Sequence, residues 1–135
     1  PKLAGHFRDC VVLVIESNHS TGMLESGPYA PWMKSRIGGP QGHLSNEALA
    51  DFIRSDLGES VRCVVLMHLS RVNNSPEIAG MACRDALRRR GRNNVRVVVS
   101  SQENVSETVD FARLLEVSRF RNSASRHWQV DLPFA

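Results

Sequence analysis

The chain has few cysteines, no long apolar run and no glycine-rich phosphate fingerprint, and each absence excludes something. Its three cysteines, Cys10, Cys63 and Cys83, form no CxxC pair. Two fall in apolar runs that read as strands and one in a helical pattern. They are expected to be reduced, mostly buried thiols of a cytosolic protein, with neither a disulfide framework nor a zinc site among them. The longest apolar stretch, Cys10 to Ile15, is a strand's length and far short of the roughly 20 residues of a membrane span. No apolar run with a small-residue cleavage site opens the chain, so no signal peptide and no membrane role are expected. No GxGxxG is present, which weighs against a nucleotide-binding doubly wound domain. The start at Pro1, without an initiator Met, is read as a processed, trimmed or excised polypeptide.

What is present is ordinary in bulk and uneven in detail. Of the 135 residues, 41% are hydrophobic, a globular share that excludes general disorder. The formal charge is +3. The cations gather in two groups, Arg84, Arg88, Arg89, Arg90 and Arg92, then Arg113, Arg119, Arg121 and Arg126. Such groups suit phosphate-rich partners, and Arg88, Arg89 and Arg90 are candidate nucleic-acid contacts. A solvated helix end explains them as well, since arginines complement a C-terminal dipole.

Apolar runs and capped helical patterns alternate. Strands are expected near 10–16, 61–67 and 95–100, each rich in β-branched residues and apolar at successive positions, as in a parallel sheet buried on both faces. Pro31–Ile37 reads as a short helix within an otherwise loop-like 21–42. Ser45 caps a helix that Gly58 stops. Ser75-Pro76-Glu77 starts another, ended by Gly91. Ser106 is expected to cap a last helix through about Val117, and residues 119–135 read as a loosely ordered tail. The order implies an α/β domain over 1–118 with a largely parallel sheet. Ligands gather at the carboxyl ends of such strands. The polar loops at Asn18-His19 and at His68 both lie there, and His43 opens a helix nearby in sequence. A lone histidine at a helix start is more often a cap or surface residue than a catalyst, and one after an apolar strand is more often a hydrogen-bonded edge residue than a ligand.

The specific words go further. Leu13-Val-Ile-Glu-Ser-Asn-His19, Gly27-Pro-Tyr-Ala-Pro-Trp-Met-Lys-Ser-Arg-Ile37, Gly42-His-Leu-Ser-Asn-Glu47 and Val64-Val-Leu-Met-His68-Leu-Ser-Arg-Val-Asn-Asn-Ser-Pro-Glu77 resemble, in order and spacing over roughly residues 9 to 104, the metallo-β-lactamase-fold hydrolases. The likeness is to the YycJ/WalJ-like branch, near phosphoribosyl cyclic phosphodiesterases and ribonuclease Z. It implies the C-terminal half of an αββα sandwich belonging to a metal-dependent, nuclease-like phosphodiesterase with two divalent ions, Zn or Mn. It implies His68 as a metal ligand and His43 as the group that meets the scissile phosphate. Asn18 and His19 would line the same edge, and Asn73 and Asn74 would shape the loop after His68. Tyr29 and Trp32 are read as packing under a loop before stacking on a base.

The family's His-x-His-x-Asp-His run and bridging Asp are not in this sequence. A catalytic site needs at least three protein ligands, so the isolated chain is expected to hold no metal tightly and to be inactive. The missing half would leave one sheet face bare, calling for that half or for a second copy. A non-catalytic α/β module that self-associates or pairs with another chain is the competing function, and an unrelated doubly wound domain is the third.

Overall fold

A computed structural model describes residues 4–116. After a 3₁₀ turn at Ala4–Phe7 come strand β1 (Val12–Glu16), helices α1 (Thr21–Ser26), α2 (Pro31–Ile37) and α3 (Asn46–Asp56), strand β2 (Cys63–Met67), helix α4 (Pro76–Arg89) and strand β3 (Arg96–Val99). The three strands form one sheet in the order β1-β2-β3, with both pairings parallel. The alternating α/β pattern with a parallel sheet is thus the architecture. Among the described residues no helix is long and apolar enough to cross a membrane.

Register assigns the faces, because successive side chains alternate. Val12 pairs with Cys63 and Leu13 with Val64, so Leu13, Ile15, Val64, Leu66, Val97 and Val99 share one face. That face meets the apolar stripes of α3 and α4: Leu49, Ile53, Ala79, Cys83 and Ala86 join Leu13, Val64 and Leu66 in one buried cluster. Both crossovers therefore pass over the same side. The other face carries Cys63 and Val98, which are buried, and Val14 and Met67, which are 57% and 44% exposed. Two-sided apolarity was legible in the sequence; the structure covers only part of the second side.

The helix signals behave as their chemistry dictates. Ser45 Oγ accepts from the Ala48 N–H and Ser75 Oγ from the Ile78 N–H. Gly91 takes φ +76 after α4, the left-handed turn glycine supplies most easily. Two expectations need correction. Residues 21–26 are helical, not loop; α1 is short and buries only Leu24, too little to leave a periodic signature. The last described helix starts at residue 111, not after Ser106, because Asp110 caps it by accepting from the Arg113 N–H. Residues 117–135, including the expected tail, lie outside the described residues. The cysteines are all free, with Cys63 and Cys83 buried and Cys10 half-buried just before β1. Burial pushes the Cys83 thiol up to about 12.

Candidate metal and phosphodiester edge

The carboxyl edge of the sheet is built by continuing the β1–β2 pairing past its last residues. Glu16 is opposite Met67, so the next residue of the second strand, His68, comes out beside the Glu16 carboxylate. The Ser17 N–H then bonds the Met67 carbonyl and the Ser70 N–H bonds the Asn18 carbonyl. On the other side of β1, the Asn18 N–H bonds Leu44 O, and the Asn46 N–H bonds His19 O. These bonds hold the stretch before α3 against the end of β1 and bring His43 to the same carboxylate.

Below the edge lies a closed polar network. Asn46 and Asn74 exchange amide hydrogen bonds at 3.0 Å in both directions. Asn74 Nδ2 also donates to the carbonyls of Ser17 and Asn18, and Ser17 Oγ donates to Asn46 Oδ1 at 2.6 Å. All of these side chains are buried. Buried polar groups are tolerable only when paired, and this pairing ties the ends of β1 and β2 to the start of α3.

On that base stand three groups. Glu16 Oε1 lies 2.8 Å from His43 Nδ1 and 2.5 Å from His68 Nδ1, while its Oε2 accepts the Leu44 N–H at 3.0 Å. The imidazole rings meet edge to face, with centroids 4.9 Å apart. Ligand-capable atoms of Glu16, His43 and His68 all lie within 4.8 Å of one another, the metal-competent group found among the described residues. Burial alone would raise the Glu16 carboxyl. The Leu44 N–H and the His68 and His43 rings outweigh it, and its pKa falls below the ordinary value. An ionised carboxylate only accepts, so each Nδ1 facing it carries hydrogen, and Nε2 is the nitrogen of each ring turned away from the carboxylate. A carboxylate that fixes the tautomer and plane of a histidine is the common outer partner of a metal-binding imidazole.

His68 also carries a backbone signature: its φ is +59, in the left-handed region that costs a non-glycine residue energy. Asn18 Nδ2 donates to its carbonyl at 2.8 Å and helps to hold that conformation. His19 is 2% exposed, and its Nδ1 is buried without a partner. Burial pushes the His19 pKa down, with the Glu47 carboxylate opposing.

The structure thus joins His43 and His68 at one edge, with Asn18 and His19 beside them. It puts the others elsewhere. Asn73 is 1% exposed, with neither side-chain polar atom bonded. A Cβ at Gly27 would come within 2.6 Å of its Oδ1, so Asn73 is packed beneath the end of α1. Arg88 and Arg89 pair with Asp85. Arg90 donates to the carbonyls of Ile53 and Leu57, closing the C-terminus of α3. In a parallel unit the helices run back against the strands, so these arginines stand at the opposite end of the sheet from the histidines. Trp32 is 63% exposed instead of packed, because α2 buries no residue. Glu16 was not among the candidates that sequence supplied. Its only signal was a carboxylate ending a two-sided apolar strand, at the edge where ligands collect.

No family model matches the chain, and no solved structure matches it. Curated proteins do. The chain is 40% identical over 80 residues to the exodeoxyribonuclease WalJ of Streptococcus pneumoniae serotype 2, a match covering 59% of this chain and 30% of that protein. It is 34% identical over 91 residues to the exodeoxyribonuclease YycJ of Bacillus anthracis, covering 67% of this chain and 34% of that protein. The chain spans about a third of the length of the curated relatives it matches.

Proposed function

From the premise of a YycJ/WalJ-like chain, we propose that this edge is one wall of a metal-assisted phosphodiesterase site acting on nucleic acid. The observation that carries the proposal is the meeting of Glu16, His43 and His68 at the carboxyl end of a parallel sheet. In this reading His68 Nε2 is a ligand to a divalent ion, and His43 faces the scissile phosphodiester. Glu16 is the positioning residue that orients both rings. Asn18 and His19 line the edge.

The His68 imidazole is a donor suited to Zn²⁺ or Mn²⁺. It is one of the three or more protein ligands that a catalytic ion needs, and a two-metal centre needs more still. The remaining donors would come from the N-terminal half of the metallo-β-lactamase sandwich that the resemblance implies. A bound divalent ion would supply polarisation of a phosphate oxygen and a water of lowered pKa. The chain's own residues orient and transfer protons. Glu16 Oε1 keeps hydrogen on both Nδ1 atoms. A proton taken up at His43 Nε2 then leaves a cation stabilised by Glu16, able to offset charge growing on the phosphate and to protonate the departing oxygen. Alone, the chain holds its ion weakly and turns nothing over.

A chimera tests this reading. The matching segment of WalJ is replaced by this chain, and hydrolysis of linear DNA with added Mn²⁺ is measured. The chimera should cleave. His43→Ala should lower the rate by about 10²–10⁴-fold, the range of a lost general acid, and His68→Ala should also lower metal affinity. A folded chimera that cleaves equally well with both substitutions would contradict the assignment, and turnover by the isolated chain would contradict its inactivity.

A further inference from the structure

Beside the histidines, a cavity of about 810 Å³ opens between the end of β1, α1, α2 and the start of α3. That size lies within the roughly 300–1,000 Å³ of small-ligand sites. Its lining divides by chemistry. Leu24, Pro40, Leu44 and Ala48 give an apolar wall, while Lys34 and His43 bring cationic or protonatable nitrogens to the same space. Glu16 and Glu25 also line it, but both Glu16 oxygens are engaged by the two imidazoles and the Leu44 N–H. The Lys34 ammonium donates to the Glu25 carbonyl at 2.7 Å, which fixes the side chain and leaves it further donors. His19, 2% exposed with an unpartnered Nδ1, forms part of the wall.

The rim is set rather than loose. A Cβ at Gly42 would meet the Ile37 carbonyl at 2.1 Å, and one at Gly39 would meet the Ser35 carbonyl at 2.7 Å. Only glycine lets this loop fold so tightly back on α2. The His43 N–H bonds the Ile37 carbonyl at 2.8 Å, so the same turn that closes the rim also places His43.

We infer that this groove is the subsite for the terminal nucleotide of the strand being cut, its base and sugar against Leu24, Leu44 and Ala48 and its phosphate toward Lys34 and His43. The inference rests on the reading of the edge as a phosphodiester-cleaving wall and adds to it a single-nucleotide pocket. An apolar wall accepts any base face, and a cation at one end fixes where the phosphate lies. An enzyme working from a strand end needs that combination next to the group that meets the phosphate.

The test is a titration of the isotopically labelled chain followed by amide NMR, with thymidine monophosphate, thymidine and inorganic phosphate as probes. Thymidine monophosphate should shift the amides of Leu24, Gly39, Leu44 and Ala48 saturably, and thymidine should shift fewer of them at higher concentration. Phosphate alone should shift only those near Lys34 and His43. Ala48→Phe fills the groove from an exposed helix position and should weaken thymidine monophosphate at least tenfold, while Mn²⁺ broadening around His68 stays as in the parent. Lys34→Gln should weaken the nucleotide and leave thymidine unchanged. Groove shifts that persist when Mn²⁺ fails to reach His68 would keep the subsite and remove the metal reading. No saturable shift in the groove would overturn the inference. So would shifts confined to the arginines ending α4, or an Ala48→Phe chain that still folds and binds as before.

Discussion

His68 holds a backbone that its side chain does not favour. At φ +59, an L-residue gives up roughly 1–2 kcal/mol relative to the right-handed region, and it does so one residue beyond β2, where Asn18 clasps its carbonyl. Glycine would escape that strain but lose about 0.5–1 kcal/mol more chain entropy on folding. His68→Gly relieves that strain but forfeits the bond to Glu16, whereas His68→Val, branched at Cβ, forfeits the same bond and keeps the strain, so the valine variant should be less stable than the glycine variant by about 1–2 kcal/mol. Denaturant midpoints of the two variants check this ordering, and a glycine variant no more stable than the valine variant would mean that the backbone is not what His68 strains. The histidine itself was legible in the sequence, as a polar residue after an apolar strand. Its partner was not. Glu16 lies 27 residues from His43 and 52 from His68, so no local spacing links them; only the parallel register of β1 and β2 does.

Among the elements, α3, β1 and β2 are joined at their ends by the amides of Asn46 and Asn74, and the neighbouring asparagines 73 and 74 make a natural comparison. Both are almost fully buried. Asn74 serves two carbonyls and the Asn46 amide; Asn73 bonds nothing through its side chain. Removing a buried partner orphans what it satisfied, at about 1–3 kcal/mol per group. Asn74→Ala should thus cost about 3 kcal/mol or more, and Asn73→Ala about 1 kcal/mol or less, by equilibrium unfolding. Equal losses would show that the network does not tie the edge together. Strands and capped helices could be read beforehand because their signals are local: β-branched runs, Ser45 and Ser75 before helices, Gly91 after one. The network and α1 could not, the first because its members are distant in sequence, the second because six residues with one buried side chain carry no period.

For the whole molecule, the uneven cover of the sheet matters most. One face is closed by α3 and α4. The other leaves Val14 and Met67 exposed, on a chain about a third as long as its matched relatives. Apolar surface left in water forgoes about 25 cal/mol per Å². We propose that this face meets the remainder of a larger fold or, in the isolated chain, a second copy. Light scattering should find self-association that Val14→Lys suppresses; a parent chain that stays near 15.0 kDa would contradict the proposal. The α/β order and bare face were legible because both are properties of pattern. The arginines closing α3 were not, since charge clustering does not say which carbonyls a guanidinium reaches. The claim that the edge of this sheet is a metal and phosphodiester wall is tested most directly by titrating the labelled chain with Mn²⁺ and mapping paramagnetic broadening of its amides. The account predicts weak, millimolar-range binding that broadens residues around Glu16, His43 and His68 first and is lost in His68→Ala. Broadening centred on the exposed carboxylates of Asp51 or Asp56, with the histidine edge untouched, would contradict it.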